Sequence, residues 1–282
     1  MKLTFWGTRG SIAAPGKETI VYGGNTCCIE IDLESGKKII IDAGTGIRPL
    51  GDHLIAQGNR VDVHLLVTHI HWDHIQGFPF FDPVFKPETR ITVCGFPAGM
   101  KGLRAIFDNK LGDGFFPIKF DELGAQIAHL GSLDKGGPLH LDNCRIDAIP
   151  LNHPQGAFGY RFEEDGKKLV FITDNELTDS ARPGFRREDY IGFCKDAHIL
   201  IHDAQFTHEE IDQHRGWGHS DSVSTLDLAL KAHVKRLLLF HHNPSRTDKE
   251  VQKIEERCNT ILRDQHVQMS VEGAREGTEI VL

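Results

Sequence analysis

Thr68-His69-Ile70-His71-Trp72-Asp73-His74 follows directly on the apolar run His64 to Val67. The run reads as the end of a buried strand, here Val61 to Thr68, which stops on its first histidine. Three imidazoles and one carboxylate then stand within residues 69–74. Nitrogen and carboxylate oxygen are the ligands that Zn²⁺ and similar ions prefer. A core cannot absorb this set, because burying it unpaired costs on the order of several kcal/mol. The plain alternative is a polar surface loop with a chance histidine cluster. The position at the end of a buried strand, where ligand sites form in mixed folds, argues against it.

One short loop cannot enclose two metal ions, so further ligands are expected at other strand ends. His153 follows the apolar stretch Ile146 to Leu151, in Leu151-Asn152-His153-Pro154. Asp174 follows Lys168 to Thr173, and His241 follows Leu237 to Phe240. Taken singly, each reads as an ordinary loop residue. Taken together, all just past apolar strands, they favour a site. Of His241 and His242 only one can face it, since side chains alternate along a strand.

Outward from these points the chain alternates strands and helices. Strands are expected at Lys2 to Trp6, Cys27 to Leu33, Lys38 to Ile41, Arg90 to Cys94, Cys144 to Leu151, Ala157 to Glu163, Ala197 to His202, Val267 to Val271 and Thr278 to Leu282. Asp165-Gly166 marks a hairpin. Helices are expected at Pro49 to Gln57, Ala98 to Asp108, Phe120 to Ala125, Ser220 to Ala232 and Asp248 to Asp264. In Ser220 to Ala232, Val223, Leu226, Leu230 and Val234 fall on one face. Gly112, Gly114 and Pro117 mark a loop. Two sheets packed together with helices outside, an α+β four-layer αββα sandwich, is the economical architecture. It forms one domain over residues 1–282, with an insertion or lid-like region at about 95–140.

The 282 residues carry a net charge of −8, with 39% hydrophobic and 26% charged residues. That is a soluble, globular composition with the wrong sign for indiscriminate nucleic-acid binding. Six scattered cysteines form no C-x-x-C pair, and the adjacent Cys27-Cys28 pair, on opposite strand faces, is a poor metal site. The opening MKLTFWGTRGS breaks at Gly7, too early for a secretory segment, and no apolar run reaches membrane-spanning length. These features point to a cytoplasmic protein with reduced thiols. A homodimer is compatible with them.

The order His-x-His-x-Asp-His, His, Asp, His resembles the ligand pattern of the metallo-β-lactamase superfamily, over nearly the whole chain. Within it, the chain is similar to the branch of ribonuclease Z and of cyclic-nucleotide and small phosphodiesterases. Ile201-His202-Asp203-Ala204-Gln205-Phe206 and Trp217-Gly218-His219-Ser220 match that branch's acidic and histidine segments. Gly7-Thr8-Arg9-Gly10-Ser11-Ile12 and Tyr22-Gly23-Gly24-Asn25-Thr26 resemble a bacterial group inside it. The resemblance implies one metal on His69, His71 and His153 and a second on Asp73, His74 and His241, with Asp174 between them. It implies that His219 contacts the phosphate or protonates the leaving oxygen, and that Asp203 orients it. The activity implied is phosphodiester hydrolysis by a metal-bridging hydroxide on a small or nucleotide-type substrate, with Asp73, His219 and Asp203 as catalytic residues. Zn²⁺ suits the histidine-rich set, and Mn²⁺ or Fe²⁺ tolerate the same ligands.

The chain departs from ribonuclease Z in carrying Asp203 where that family carries Glu, and in lacking a long basic Gly/Pro-rich arm. The 95–140 region, with Phe115-Phe116-Pro117, suits a lid or packing element. Transfer-RNA 3′ processing, and extended nucleic acid generally, are therefore the lesser expectation. The same site could serve thioester or lactone hydrolysis, but a thiolate leaves without a proton donor such as His219. A non-hydrolytic metal sensor is a further alternative, weakened because flavodiiron-type relatives carry Glu at the position of His71. Arg9 could reach a phosphate or stabilise a turn, Asn25 and Thr26 read as turn residues, Trp72 as packing under its loop, and His208 and His214 as surface residues.

Overall fold

The computed structural model describes residues 1–108, 116–177 and 185–282; Gly112, Gly114 and Phe115 lie outside them. Strands β1 (Lys2–Gly7), β2 (Cys28–Asp32), β3 (Lys38–Ile41), β4 (Asp62–Val67), β5 (Arg90–Gly95), β6 (Gln126–His129) and β14 (Glu279–Val281) form one sheet in the order β14-β1-β2-β3-β4-β5-β6. Strands β7 (Leu139–Leu141), β8 (Cys144–Leu151), β9 (Ala157–Glu164), β10 (Lys167–Ile172), β11 (Ile199–Asp203), β12 (Arg236–Phe240) and β13 (Ser270–Gly273) form the second, in the order β13-β12-β11-β10-β9-β8-β7. Each sheet is antiparallel at one end and parallel at the other: β3, β4, β5 and β6 run together, as do β10, β11, β12 and β13.

The parallel strands explain the long apolar runs of the sequence. Both faces of such strands are covered, so consecutive residues are buried. Ile39, Ile41 and Leu66 meet Phe171, Ile201 and Phe240 between the sheets. Their neighbours Ile40, Leu65 and Val67 pack outward on helices α1 (Ile47–Ala56) and α3 (Gly99–Phe107). Val170, Leu200 and Leu239 pack outward on α4 (Arg187–Cys194), α5 (Ser222–Lys231) and α6 (Asp248–Asp264). The result is the expected αββα order of layers. The Tyr160 hydroxyl, fully buried, donates to the Val67 carbonyl at 2.6 Å and ties the two sheets together beside the 68–74 loop.

Some local expectations change. Phe120 to Ala125 is a single 3₁₀ turn (Phe120–Glu122), after which the chain enters β6. The span 95–140 holds α3, β6 and most of β7, so its described residues supply edge strands to both sheets. Strand β13 begins at Ser270 rather than Val267. Helix α5 begins at Ser222, because Asp221 takes the N-cap and accepts from the N–H groups of Val223 and Ser224. Its buried face is Ser222, Thr225, Leu226 and Ala229, with Leu228 also buried, since α4 and α6 pack against it from other sides. Trp72 does not pack under its loop; it opens the four-residue helix α2 (Trp72–Ile75) and is 53% exposed. All six cysteines are free and buried. Among the described residues no helix is long and apolar enough to cross a membrane.

Candidate metal centre

The carboxyl ends of β4, β8, β10, β11 and β12 open on the same edge of the sandwich. Parallel register sets this directly: Ile172 pairs with His202, and Asp203 pairs with Phe240. Asp174, Asp203 and His241 therefore arrive side by side. The 68–74 loop and His153 reach the same place from β4 and β8. Ligand sites gather at such strand ends, where loops diverge and leave a crevice.

The seven residues expected as ligands converge there. His69, His71 and His153 form one group, with His71 Nδ1 2.9 Å from His153 Nε2. Asp73, His74 and His241 form another, with Asp73 Oδ2 3.3 Å from the Nε2 atoms of both His74 and His241. Asp174 lies between the groups. Its Oδ2 is 3.6 Å from His69 Nε2 and 3.8 Å from His153 Nε2; its Oδ1 is 3.4 Å from His74 Nε2 and 3.2 Å from His241 Nε2. His219 stands beside both, its ring stacked on that of His241 at 4.9 Å and its Nδ1 2.8 Å from Asp203 Oδ2. A carboxylate only accepts, so Nδ1 carries the hydrogen and donates.

Two backbone positions are held in the left-handed region to aim these groups, Asp174 at φ +46° and His241 at φ +58°. Such conformations cost on the order of 1–3 kcal/mol and persist where the surroundings enforce them. Gly10 passes so close to His241 that a Cβ there would lie 2.3 Å from the imidazole.

Burial alone would raise the two carboxyls, but neighbouring imidazoles outweigh it. His74 and His241 hold Asp73 well below the usual carboxylate range, and His241, His74 and His69 do the same for Asp174. The converse holds for His74 and His241: burial opposes their charge, yet Cys27, Asp73 and Asp174 drive both well above an ordinary histidine. Burial dominates at the other group. His153 is pushed down to about 4, and His69 lies well below its usual value. The site is thus split into a charge-paired half and a neutral imidazole half.

Several partners were not anticipated. Asp42 accepts from His74 Nδ1, Thr68 N and Thr68 Oγ1, each at 2.7 Å. It follows the apolar strand β3 just as Asp174 follows β10, so the same signal is present in the sequence. Gln205 Oε1 lies 3.1 Å from His241 Nδ1, and the Ser11 N–H donates to Asp73 Oδ2 at 2.7 Å. Cys27, set aside as a ligand candidate, lies with His74 and His241 in one cluster of donor atoms. Arg9 does not reach the site; it is fully buried, with its guanidinium on the carbonyls of Gly23, Asn243 and Arg246. His242 is also structural, donating to the Ala274 carbonyl at 2.9 Å. Asn25 and Thr26 do pin a loop, through Glu276 and Thr45. His214 is no bland surface residue, since its ring stacks on Phe206.

A β-lactamase superfamily domain matches residues 37–242, and the chain belongs to the metallo-β-lactamase superfamily of hydrolases. Ribonuclease BN of Proteus mirabilis (strain HI4320) is 25% identical, over 93% of this chain and 95% of the relative. Ribonuclease Z of Bacillus cereus (strain AH187) is also 25% identical, over 86% of this chain and 88% of its own length. Among solved structures, the metallo-β-lactamase fold protein YhfI from Bacillus subtilis superposes with a TM-score of 0.69 at 17% identity, over 99% of this chain and 98% of that one. The resemblance to the ribonuclease Z branch therefore holds. The expectation against extended nucleic acid finds no support in these relatives, both of them named ribonucleases.

Proposed function

We propose that the protein is a two-metal phosphodiesterase acting on a small or nucleotide-type diester. The observation that carries this reading is the position of Asp174, which turns one carboxylate oxygen to each of two ligand groups. His69, His71 and His153 would hold one divalent ion and Asp73, His74 and His241 the other, with Asp174 shared. The donors fit such ions on physical grounds. The Nε2 atom of His69 is buried and makes no hydrogen bond, a cost that a metal ligand does not bear. Nitrogen-rich ligation favours Zn²⁺, with Mn²⁺ or Fe²⁺ as alternatives.

Two such ions supply charge neutralisation on the phosphoryl oxygens and a water acidic enough to attack near neutral pH. The remaining work falls to side chains. Asp73, fixed by the Ser11 N–H, holds its own group in place. Asp203 accepts from His219 Nδ1, which fixes the tautomer and leaves Nε2 to exchange a proton with the departing oxygen. This proton donor favours diesters over thioesters, whose thiolate leaves unaided. The support for His219 comes from this dyad and not from a helix dipole, because Asp221 already occupies the N-terminus of α5.

An RNA substrate is the second reading, favoured by the names of the two curated relatives. A metal-replete panel decides: bis-p-nitrophenyl phosphate, a cyclic nucleotide, a precursor transfer RNA, a thioester and a lactone. Turnover of the diesters is expected. Turnover confined to the thioester or lactone overturns the reading.

A further inference from the structure

Trp217 is 58% exposed, yet its backbone is held from both sides. The buried Glu176 carboxylate, two residues beyond Asp174, accepts from the N–H of Gly216 at 2.9 and 3.0 Å and from that of Gly218 at 3.0 Å. The Gly218 carbonyl accepts from His153 Nδ1 at 3.0 Å. Gly216 and Gly218 lie at φ +83° and +86°, and a Cβ on Gly218 would stand 2.1 Å from His153 Nδ1. The Trp217 segment is therefore locked to both the Asp174 loop and the His153 group.

The indole itself is braced by a run of rings. His214 meets it edge-on, with centroids 4.9 Å apart at 86°. His214 stacks on Phe206 at 4.1 Å and 18°, and Phe206 meets His219 at 6.1 Å and 71°. Continuous aromatic contact thus leads from the proton-donating histidine to an exposed indole two residues away. A lone exposed tryptophan needs no explanation. One carried on a segment hydrogen-bonded to His153 and Glu176, two residues before His219, can serve as a stacking surface, since the π-face of every nucleobase packs on such a ring without demanding a particular sequence.

We propose that Trp217 is the platform on which the base of a nucleotide-type diester stacks, and so a residue that sets specificity at this site. This rests on the phosphodiesterase reading above. The test uses the metal-loaded wild type, Trp217→Ala and Trp217→Phe. The two substrates are adenosine 2′,3′-cyclic phosphate and the same cyclic phosphate of methyl riboside, which has no base. In the wild type the base should lower KM about tenfold, the size of one base–aromatic stack. Trp217→Ala should raise KM for the adenosine diester by about that factor, with kcat little changed and the base-free diester unaffected. Trp217→Phe should keep most of the effect. Equal KM values for both substrates in the wild type overturn the proposal. So does an equal loss on both in Trp217→Ala, or a change of oligomeric state with KM unchanged.

A binding readout separates this idea from the hydrolase reading. Adenosine monophosphate should quench indole fluorescence in the wild type, and Trp217→Phe should abolish the quenching. A protein that turns over no diester of the panel refutes the hydrolase reading, and the titration still decides the platform: quenching lost in Trp217→Phe supports it, and no quenching overturns it.

Discussion

Asp203 and His219 are joined by a 2.8 Å hydrogen bond although they belong to different elements, the end of β11 and the loop before α5. Asp203 is fully buried and its other oxygen accepts from the Gln205 N–H at 2.9 Å. His219 therefore has a fixed ring orientation next to the ligand cluster. His219→Ala should keep its metal and lose roughly 10²- to 10⁴-fold in rate. The loss should shrink for p-nitrophenolate, which leaves with little protonation. Metal content and a leaving-group series measure this. Loss of metal would show His219 to be a ligand, and an equal loss for every leaving group would leave it a binding residue only.

Asp203→Asn should act through His219. The amide can donate as well as accept, so the tautomer is no longer fixed, and a loss of about 10- to 100-fold is expected with metal content unchanged. The pH–rate profile should shift in Asp203→Asn and not merely drop. A uniform drop at all pH values would assign Asp203 to folding alone.

The fully loaded protein should contain about two ions per chain, because seven donors exceed what one tetrahedral ion uses. Asp174→Ala should lose the coupling between them and nearly all activity. Elemental analysis finding one ion at saturation, or wild-type turnover in Asp174→Ala, would falsify the shared-carboxylate assignment.

Gly218→Ala tests the packing that holds His153. Its Cβ would meet His153 Nδ1 at 2.1 Å, and the left-handed φ of +86° adds strain. A destabilisation of about 1–3 kcal/mol is expected, together with weakened metal retention at the group containing His153. A variant with unchanged melting temperature and full metal content would contradict the geometry.

Metal binding should release protons. In the metal-free protein Asp73 and Asp174 raise His74 and His241 well above the ordinary value of 6.5, which favours the charged imidazoles, while the same contacts favour the ionised carboxylates. Ligation requires neutral imidazoles, so loading should expel protons from these two histidines, and affinity should fall on acidification. Calorimetry in buffers of different ionisation heat counts them; a count of zero refutes the charge pairing. For the metal-free fold the sign is opposite. The raised histidines stabilise it fully below pH 6.5, and that contribution is lost as the pH climbs through their folded values.

Chemistry that sits within a few residues was legible in the sequence. The 69–74 cluster, and His153, Asp174 and His241 taken together past their strands, carry the signal, because each alone reads as a loop residue but several titratable side chains directly after buried strands do not. The four layers were legible as well, since apolar runs that do not alternate demand cover on both faces. Weak edge strands were not: β6, Gln126-Ile127-Ala128-His129, is largely exposed and has no apolar run, and only pairing with β5 makes it a strand. The start of α5 was misplaced because Ser220 and Asp221 are both good caps, and the contact of Asp221 with two backbone N–H groups decides between them. What holds these candidate ligands in place came only from tertiary structure. Asp42 reaches His74 across 32 positions, Gln205 reaches His241 across 36, and Gly218 reaches His153 across 65. A hydrogen bond is set by distance and direction in space, and strand register, not sequence separation, brings those donors and acceptors within reach.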